Sequence, residues 1–228
     1  MSDPRQSHED TRAQAPCLQL HAPVPDFEAE TTHGYIGLYD WHPDKWVVLF
    51  SHPADFTPVC TSEFVSLAEA SPQFQERNVV LLGCSVDSVF SHLAWLESIR
   101  NKFHIDVPFP IIADVDQKVA RLYGMVHEAS SNTAPVRAMF IIDPERRLRA
   151  MFHYPLEAGR STDELLRLID ALQTADRHDV QCPADWSPGQ PVLTDPPRTV
   201  NQLRLQSNAG FVEVVDWYYQ SRDVDKDS

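Results

Sequence analysis

The chain lacks any close pair of cysteines. Its four cysteines stand apart at positions 17, 60, 84 and 182, and none forms a C-x-x-C pair. That spacing excludes a closed structural zinc site and a dithiol oxidoreductase site. Cationic side chains are also short: 19 Lys and Arg face 33 Asp and Glu, for a net charge of −14. Such a balance favours solubility and argues against a nucleic-acid partner. No segment approaches the roughly 20 apolar residues that span a bilayer. The first sixteen residues, MSDPRQSHEDTRAQAP, hold no apolar stretch of the kind a secretory signal needs. A cytoplasmic location without membrane attachment is therefore expected. No internal repeat is present. Glycine is scarce, at 7 residues, while proline numbers 18. Pro183, Pro188, Pro191, Pro196 and Pro197 crowd near the end and predict an extended, turn-rich tail.

What is present is enough for a packed interior. Hydrophobic residues make up 43% of the chain and aromatics 10%. A chain of 228 residues buries one full core with a smaller appendage. Residues 1–16 are polar without periodicity and are expected to be disordered. Phe27–Thr31 and Tyr35–Tyr39 flank His33–Gly34 and predict a hairpin. The runs within Lys45–Ser51 and Asn78–Ser85 (NVVLLGCS) predict short buried strands. Glu63, Phe64, Leu67, Ala68 and Phe74 recur at helical spacing. Ser88–Phe103 predicts a helix with Phe90, Leu93, Ala94, Leu96 and Ile99 on broad faces. Pro110–Ala113 reads as a strand and Gln117–Tyr123 as a short helix. Arg137–Asp143 and Leu148–Tyr154 read as strands around a turn at 143–146. Thr162–Thr174 is amphipathic, with Leu165, Leu166, Ile169 and Leu172 inward and two acidic residues in its first turn. The order of elements predicts an α/β sandwich with a mixed central sheet flanked by helices, plus a C-terminal extension. The division is a tail over 1–16, a main domain over 17–176 and an arm over 177–228.

The informative stretch is FSHPADFTPVCTSEF, Phe50–Phe64. A thiol is a poor nucleophile until it ionises. Cys60 follows a Pro- and Thr-rich loop and opens a helix. Free N–H groups and partial positive charge at a helix start both favour a thiolate. Pro53 and Pro58 stiffen the loop, and Thr57 is placed to turn its hydroxyl toward the sulfur. An inert cysteine at a helix start is the bland alternative. The spacing P-x-x-x-T-x-x-C is more specific than that.

Pro53 to Thr61 resembles the active-site loop of the peroxiredoxins. FSHPADFTPVCT, LLGCSVDSVFSHLAW, VPFPIIAD and YPLEAGRSTDELLR resemble the one-Cys, peroxiredoxin-6-like branch, and above all its prokaryotic thioredoxin-dependent peroxidases. The resemblance implies a thioredoxin-like fold and a thiol peroxidase acting on hydrogen peroxide and organic hydroperoxides. It implies that Cys60 is the peroxidatic nucleophile and passes through a sulfenic acid. It implies that Pro53, Thr57 and Arg137 align the peroxide, with the guanidinium favouring the thiolate. Arg160 matches a second arginine near the site, Glu63 is expected to orient one of the two, and His52 to position or tune the thiolate. Without the motif, Arg137 reads as an edge-strand surface residue and His52 as a core-lining one. No cofactor, metal or haem is implied.

Cys182 lies in VQCPADW, which resembles the resolving-cysteine segment of two-Cys relatives. One reading pairs it with Cys60 of a partner subunit, and the other leaves it an unpaired tail cysteine. Cys84 reads as inert core, and Cys17 has no motif around it. The partners implied are the peroxide, a thiol reductant (thioredoxin, glutathione or another thiol), and a second copy of the chain in a homodimer or a larger ring. Phe211, Trp217, Tyr218 and Tyr219 fit an arm that embraces the partner. Mammalian members of the branch also resemble lipases, through a Ser within GDSWG. Here the matching segment is His42–Pro43–Asp44–Lys45–Trp46, with Lys in place of Ser and Tyr39 in place of an earlier His, so ester hydrolysis is not expected. A holdase role stays open.

Overall fold

Strand β3 (Trp46–Ser51) has all six residues buried, and β4 (Val79–Ser85) all but one. Continuous apolar runs of this kind belong in the middle of a sheet covered on both faces. The computed structural model, which describes residues 18–205 and 210–224, places them there. A seven-stranded sheet runs β2-β1-β5-β4-β3-β6-β7. Its remaining strands are β1 (Glu28–Thr31), β2 (Gly34–Gly37), β5 (Ile111–Ala113), β6 (Arg137–Ile142) and β7 (Leu148–Tyr154). β3, β4 and β5 are parallel, while β6 and β7 return antiparallel. The mixed sheet is the one the sequence predicts.

Alternation along the strands sends successive side chains to opposite faces. Val48, Phe50, Leu81, Met139 and Ile141 pack on one face against helices α1 (Pro58–Glu69), α3 (Val89–Phe103) and α5 (Thr162–His178). Val47, Leu49, Leu82, Cys84 and Phe140 pack on the other, against α4 (Lys118–Leu122) and Tyr123. α5 is tied down at its start, where Ser161 caps it by accepting from the Glu164 amide at 3.2 Å.

Several details differ from expectation. The helical run expected through Phe74 breaks at Ala70, and α2 (Ser71–Glu76) restarts with a proline in its first turn. Proline fits a helix start because its missing N–H would be unpaired there anyway. The second hairpin strand ends at Gly37 rather than at Tyr39. Gln117 is the cap of α4, in the left-handed region at φ 60°, not its first residue. On α3 the buried face is His92, Trp95 and Ile99, while Phe90 and Leu93 are exposed. α5 runs on to His178, past the expected end at Thr174 and across the 176/177 boundary.

The C-terminal stretch is more ordered than a turn-rich tail. A three-stranded sheet, β8-β10-β9, joins β8 (Val192–Leu193), β9 (Glu213–Asp216) and β10 (Tyr219–Arg222), with the short helix α6 (Val200–Leu205) between. Val180, Trp186 and Val192 pack against Ala171 of α5, with Cys182 beside them. Trp217, Tyr218 and Tyr219 are exposed. Residues 1–16 and Cys17 lie outside the described residues.

Candidate active site

The site forms where β3 ends and α1 begins. His52 to Thr57 make the connecting loop, and Pro58 opens the helix, with Thr57 as its extended N-cap. The first helical hydrogen bond runs from the Thr61 amide to the Thr57 carbonyl, at 3.0 Å. The Cys60 amide therefore precedes the helical ladder and points out of the helix start. Thr57 donates its hydroxyl to the Ala54 carbonyl at 2.9 Å, not to the sulfur. The lone pairs of that hydroxyl stay available as acceptors. Phe56 is exposed and sits at φ 57°, a left-handed conformation that strains an aromatic residue.

Cys60 is fully buried, with Arg137 Nη1 3.3 Å from its Sγ. β6 is an interior strand between β3 and β7, so Arg137, at its start, is buried and not an edge-strand surface residue. The other guanidinium nitrogens of Arg137 donate to the Leu156 carbonyl, at 3.0 and 2.7 Å. Nη1 also meets Glu63 Oε2 at 2.8 Å. Glu63 lies one helical turn past Cys60 and is itself buried.

Glu63 binds both arginines rather than one. It accepts from Arg160 through Nε at 2.7 Å, Nη2 at 2.9 Å and the backbone amide at 2.8 Å. Gly159, just before Arg160, packs against α1 at ordinary distances from Val59 and Glu63. Arg160 also donates to the Ala138 carbonyl at 2.6 Å and stacks over Phe50 at 5.4 Å. Burial raises the Glu63 pKa, but the hydrogen bonds and charge of Arg160, together with the charge of Arg137, outweigh it and hold the carboxyl below its ordinary value. Two enclosed guanidiniums thus share one carboxylate. One positive charge is left over beside Sγ.

Pro53 sits in the same loop, half-buried. His52 is fully buried, but its hydrogen bond runs to Asp55, Nε2 to Oδ1 at 2.8 Å, and not to Cys60. Its ring packs against Phe64 and Trp95, with centroids 4.9 and 5.1 Å away. Asp55 also takes His92 Nδ1 at 2.8 Å. Asp55 and His92 escaped the sequence reading. Their signal was there: an i, i+3 His–Asp pair in the loop, and a histidine in register with Trp95 on α3. Cys182 is half-buried, and its thiol donates to the Ala171 carbonyl at 3.4 Å. Burial raises its pKa against the charge of Arg167.

Comparison with known proteins decides what this geometry belongs to. Residues 20–151 match the AhpC/TSA family, and residues 171–206 match the C-terminal domain of 1-Cys peroxiredoxin. Over 205 residues the chain is 52% identical to peroxiredoxin 2 of Caldanaerobacter subterraneus subsp. tengcongensis, spanning 89% of this chain and 92% of that protein. The chain belongs to the AhpC/TSA peroxiredoxins. It is 50% identical to a peroxiredoxin of Aquifex aeolicus over 216 residues, covering 90% of this chain and 97% of that one. Among solved structures, a yeast mitochondrial 1-Cys peroxiredoxin superposes with a TM-score of 0.82 at 40% identity, over 91% of this chain and all of that one. Peroxiredoxin 6 of Arenicola marina gives 0.83 at 34%, over 92% of this chain and all of that one. The thioredoxin-like fold expected of a peroxiredoxin is present. The protein is a thiol-dependent peroxidase of the oxidoreductase class, working through a peroxidatic cysteine sulfenic acid.

Proposed function

We propose that Cys60 is the peroxidatic cysteine and that the buried arginine pair activates it. The observation that carries this reading is the 3.3 Å contact between Arg137 Nη1 and Cys60 Sγ, within a cluster that holds one unbalanced positive charge. The peroxide lies between the helix start, the Thr57 hydroxyl and Arg137, with Pro53 walling the loop. The Cys60 thiolate attacks the terminal oxygen of ROOH, and the O–O bond breaks. Sulfur gains the OH as sulfenic acid, and RO⁻ leaves and takes a proton to give ROH. Arg137 and the free Cys60 amide face the charge that builds on the leaving oxygen. Glu63 positions Arg137 and Arg160. His52 acts from within the loop through Asp55 and not by direct hydrogen bonding to the sulfur.

A thiol then condenses with the sulfenic acid, releasing water, and a second thiol frees Cys60. The yeast mitochondrial relative was studied for thiol resolution through glutathione and thioredoxin systems. We take the same two donors as candidates here. Cys182 of a partner subunit is the third. It favours that role by its VQCPADW setting and disfavours it by its enclosure beside α5. We place the enzyme in the cytoplasm, where such thiols are kept reduced. No helix among the described residues is long and apolar enough to cross a membrane. We read residues 17–176 as the peroxidase domain and 177–228 as a dimerisation arm, on the strength of its exposed Trp217, Tyr218 and Tyr219. Peroxide consumption with a thiol donor tests the central reading. Cys60→Ser is expected to abolish it, and equal consumption by both proteins would refute it.

A further inference from the structure

Beside the arginine cluster lies a second enclosed group of titratable side chains: His52, Asp55 and His92. Its hydrogen bonds allow the protons to be counted. His92 Nε2 faces the Ile112 carbonyl at 3.2 Å, and its Nδ1 faces both Asp55 oxygens at 3.1 and 2.8 Å. A carbonyl and a carboxylate only accept, so both ring nitrogens of His92 carry hydrogen. Burial raises the Asp55 pKa, but the hydrogen bonds from His52 and His92 outweigh it and hold the carboxyl well below the usual carboxylate range. Asp55 is therefore ionised. His52 Nε2 meets its Oδ1 at 2.8 Å and is also N–H. Burial keeps His52 neutral against the pull of Asp55. The one nitrogen left bare is His52 Nδ1, which is buried and has no partner among the described residues.

Protons suit these contacts better than a metal ion. Two ligand atoms on one tetrahedral zinc sit about 3.3 Å apart, given bonds of about 2.05 Å. The nitrogen–oxygen contacts here are 2.8 Å, ordinary charge-assisted hydrogen bonds. Asp55 is held a second time by its backbone amide, which donates to Asp87 at 2.9 Å. Ser85 donates to the same Asp87 oxygen, at 2.9 Å. The loop that contains Pro53 and Thr57 is thus clamped to α3 and to the end of β4.

We propose that His92 is a positioning residue for the peroxidase reaction: through Asp55 it fixes His52 as the Nε2–H tautomer and locks the active-site loop onto α3. This rests on the reading that Cys60 is the nucleophile. His92 touches neither the sulfur nor the substrate, and it acts by making Asp55 an anion with two fixed donors. Removing it leaves the Asp55 carboxylate with His52 alone and cuts the tie to α3, while the tie of the Asp55 amide to Asp87 remains.

Nitrogen-15 spectra of the histidine rings in the native, reduced, full-length protein test the tautomer without any activity assay. We expect His52 with hydrogen on Nε2 and a bare Nδ1, and His92 with hydrogen on both nitrogens. Hydrogen on His52 Nδ1, or a bare nitrogen on His92, would overturn the proposal. So would displacement of the His92 Nδ1 hydrogen by one equivalent of zinc at neutral pH. Rapid-mixing kinetics of Cys60 oxidation supply the second arm. His92→Gln keeps reach to Ile112 but loses Asp55, and slows oxidation about 10-fold, the loss typical of an orienting partner. His92→Asn keeps a donor at the Nδ1 position and restores most of the rate. Equal rates for the two variants would contradict the role. Failure of the Cys60 reading shows separately, as peroxide consumption by Cys60→Ser.

Discussion

Cys60 and Cys84 are both fully enclosed, yet they lie on opposite faces of one sheet in opposite electrical settings. Cys60 stands at a helix start with a guanidinium 3.3 Å from its sulfur. Cys84 stands one residue from the end of β4, among apolar side chains. Burial pushes its thiol well above the ordinary value, and the charge of Asp114 pushes in the same direction. Enclosure alone silences a thiol. Cys60 shares the enclosure but adds a buried guanidinium at its sulfur, and in a low dielectric a paired charge is strengthened where an isolated one is penalised.

The strongest way to break the contrast is to remove the guanidinium. Arg137→Met is expected to lower kcat/KM for peroxide by about 10²- to 10³-fold, the loss typical of a transition-state charge stabiliser. Stopped-flow oxidation of Cys60 measures it. Next comes Glu63→Gln, which strips the shared carboxylate from two buried arginines. Breaking a buried pair by removing one partner costs about 3–5 kcal/mol, and denaturant unfolding should show a loss of that order.

Acid should separate the two sides of the contrast as well. His52 is held below its ordinary value near 6.5, chiefly by burial. The unfolded chain therefore takes up a proton that the folded one refuses, and stability begins to fall as pH drops through 6.5. His42 and His153, likewise lowered by burial, act in the same window. Glu63 is held below 4.5, so its contribution is complete above that value and is lost as pH falls through its folded-state pKa. Denaturant midpoints should decline from about pH 6.5 down to pH 4, and a flat profile over that interval would contradict the charge assignment. Cys182→Ser sharpens the reducing step. If Cys182 resolves Cys60, the peroxide-induced dimer band on a non-reducing gel disappears. The same band in the variant would exclude Cys182 as the resolving residue. The smallest effect belongs to Cys84→Ala, which should leave the peroxide reaction unchanged and cost about 1 kcal/mol of stability, the scale of a small buried group.

How much of this was legible depends on whether the cause is local. β3 and β4 announce themselves because central strands are apolar on both faces, and the Cys60 loop because its proline, threonine and cysteine spacing is itself the geometry. Glu63, Arg137 and Arg160 were readable as neighbours, but the sharing of the Glu63 carboxylate by both arginines was not, since it depends on α1, β6 and the segment before α5 meeting in space. The helix break was written in Ser71–Pro72, yet the apolar spacing to Phe74 masked it. The C-terminal sheet stayed hidden because its strands hold two to four residues, too short for a period, and β8 and β10 meet only across a long connection. His92 was hidden for another reason. A histidine at a core position of α3 looks like a surface residue until Asp55 is brought to it from a distant part of the chain.

The most direct measurement maps where oxidation lands. The reduced protein is treated with a stoichiometric amount of peroxide and the sulfenic acid is trapped with dimedone before peptide mass spectrometry. The adduct should fall on the Cys60 peptide, with none on Cys84, and Arg137→Met should slow its appearance. An adduct on Cys84, or one on Cys60 that forms equally fast without Arg137, would contradict the claim that enclosed positive charge, and not enclosure, makes the reactive thiol.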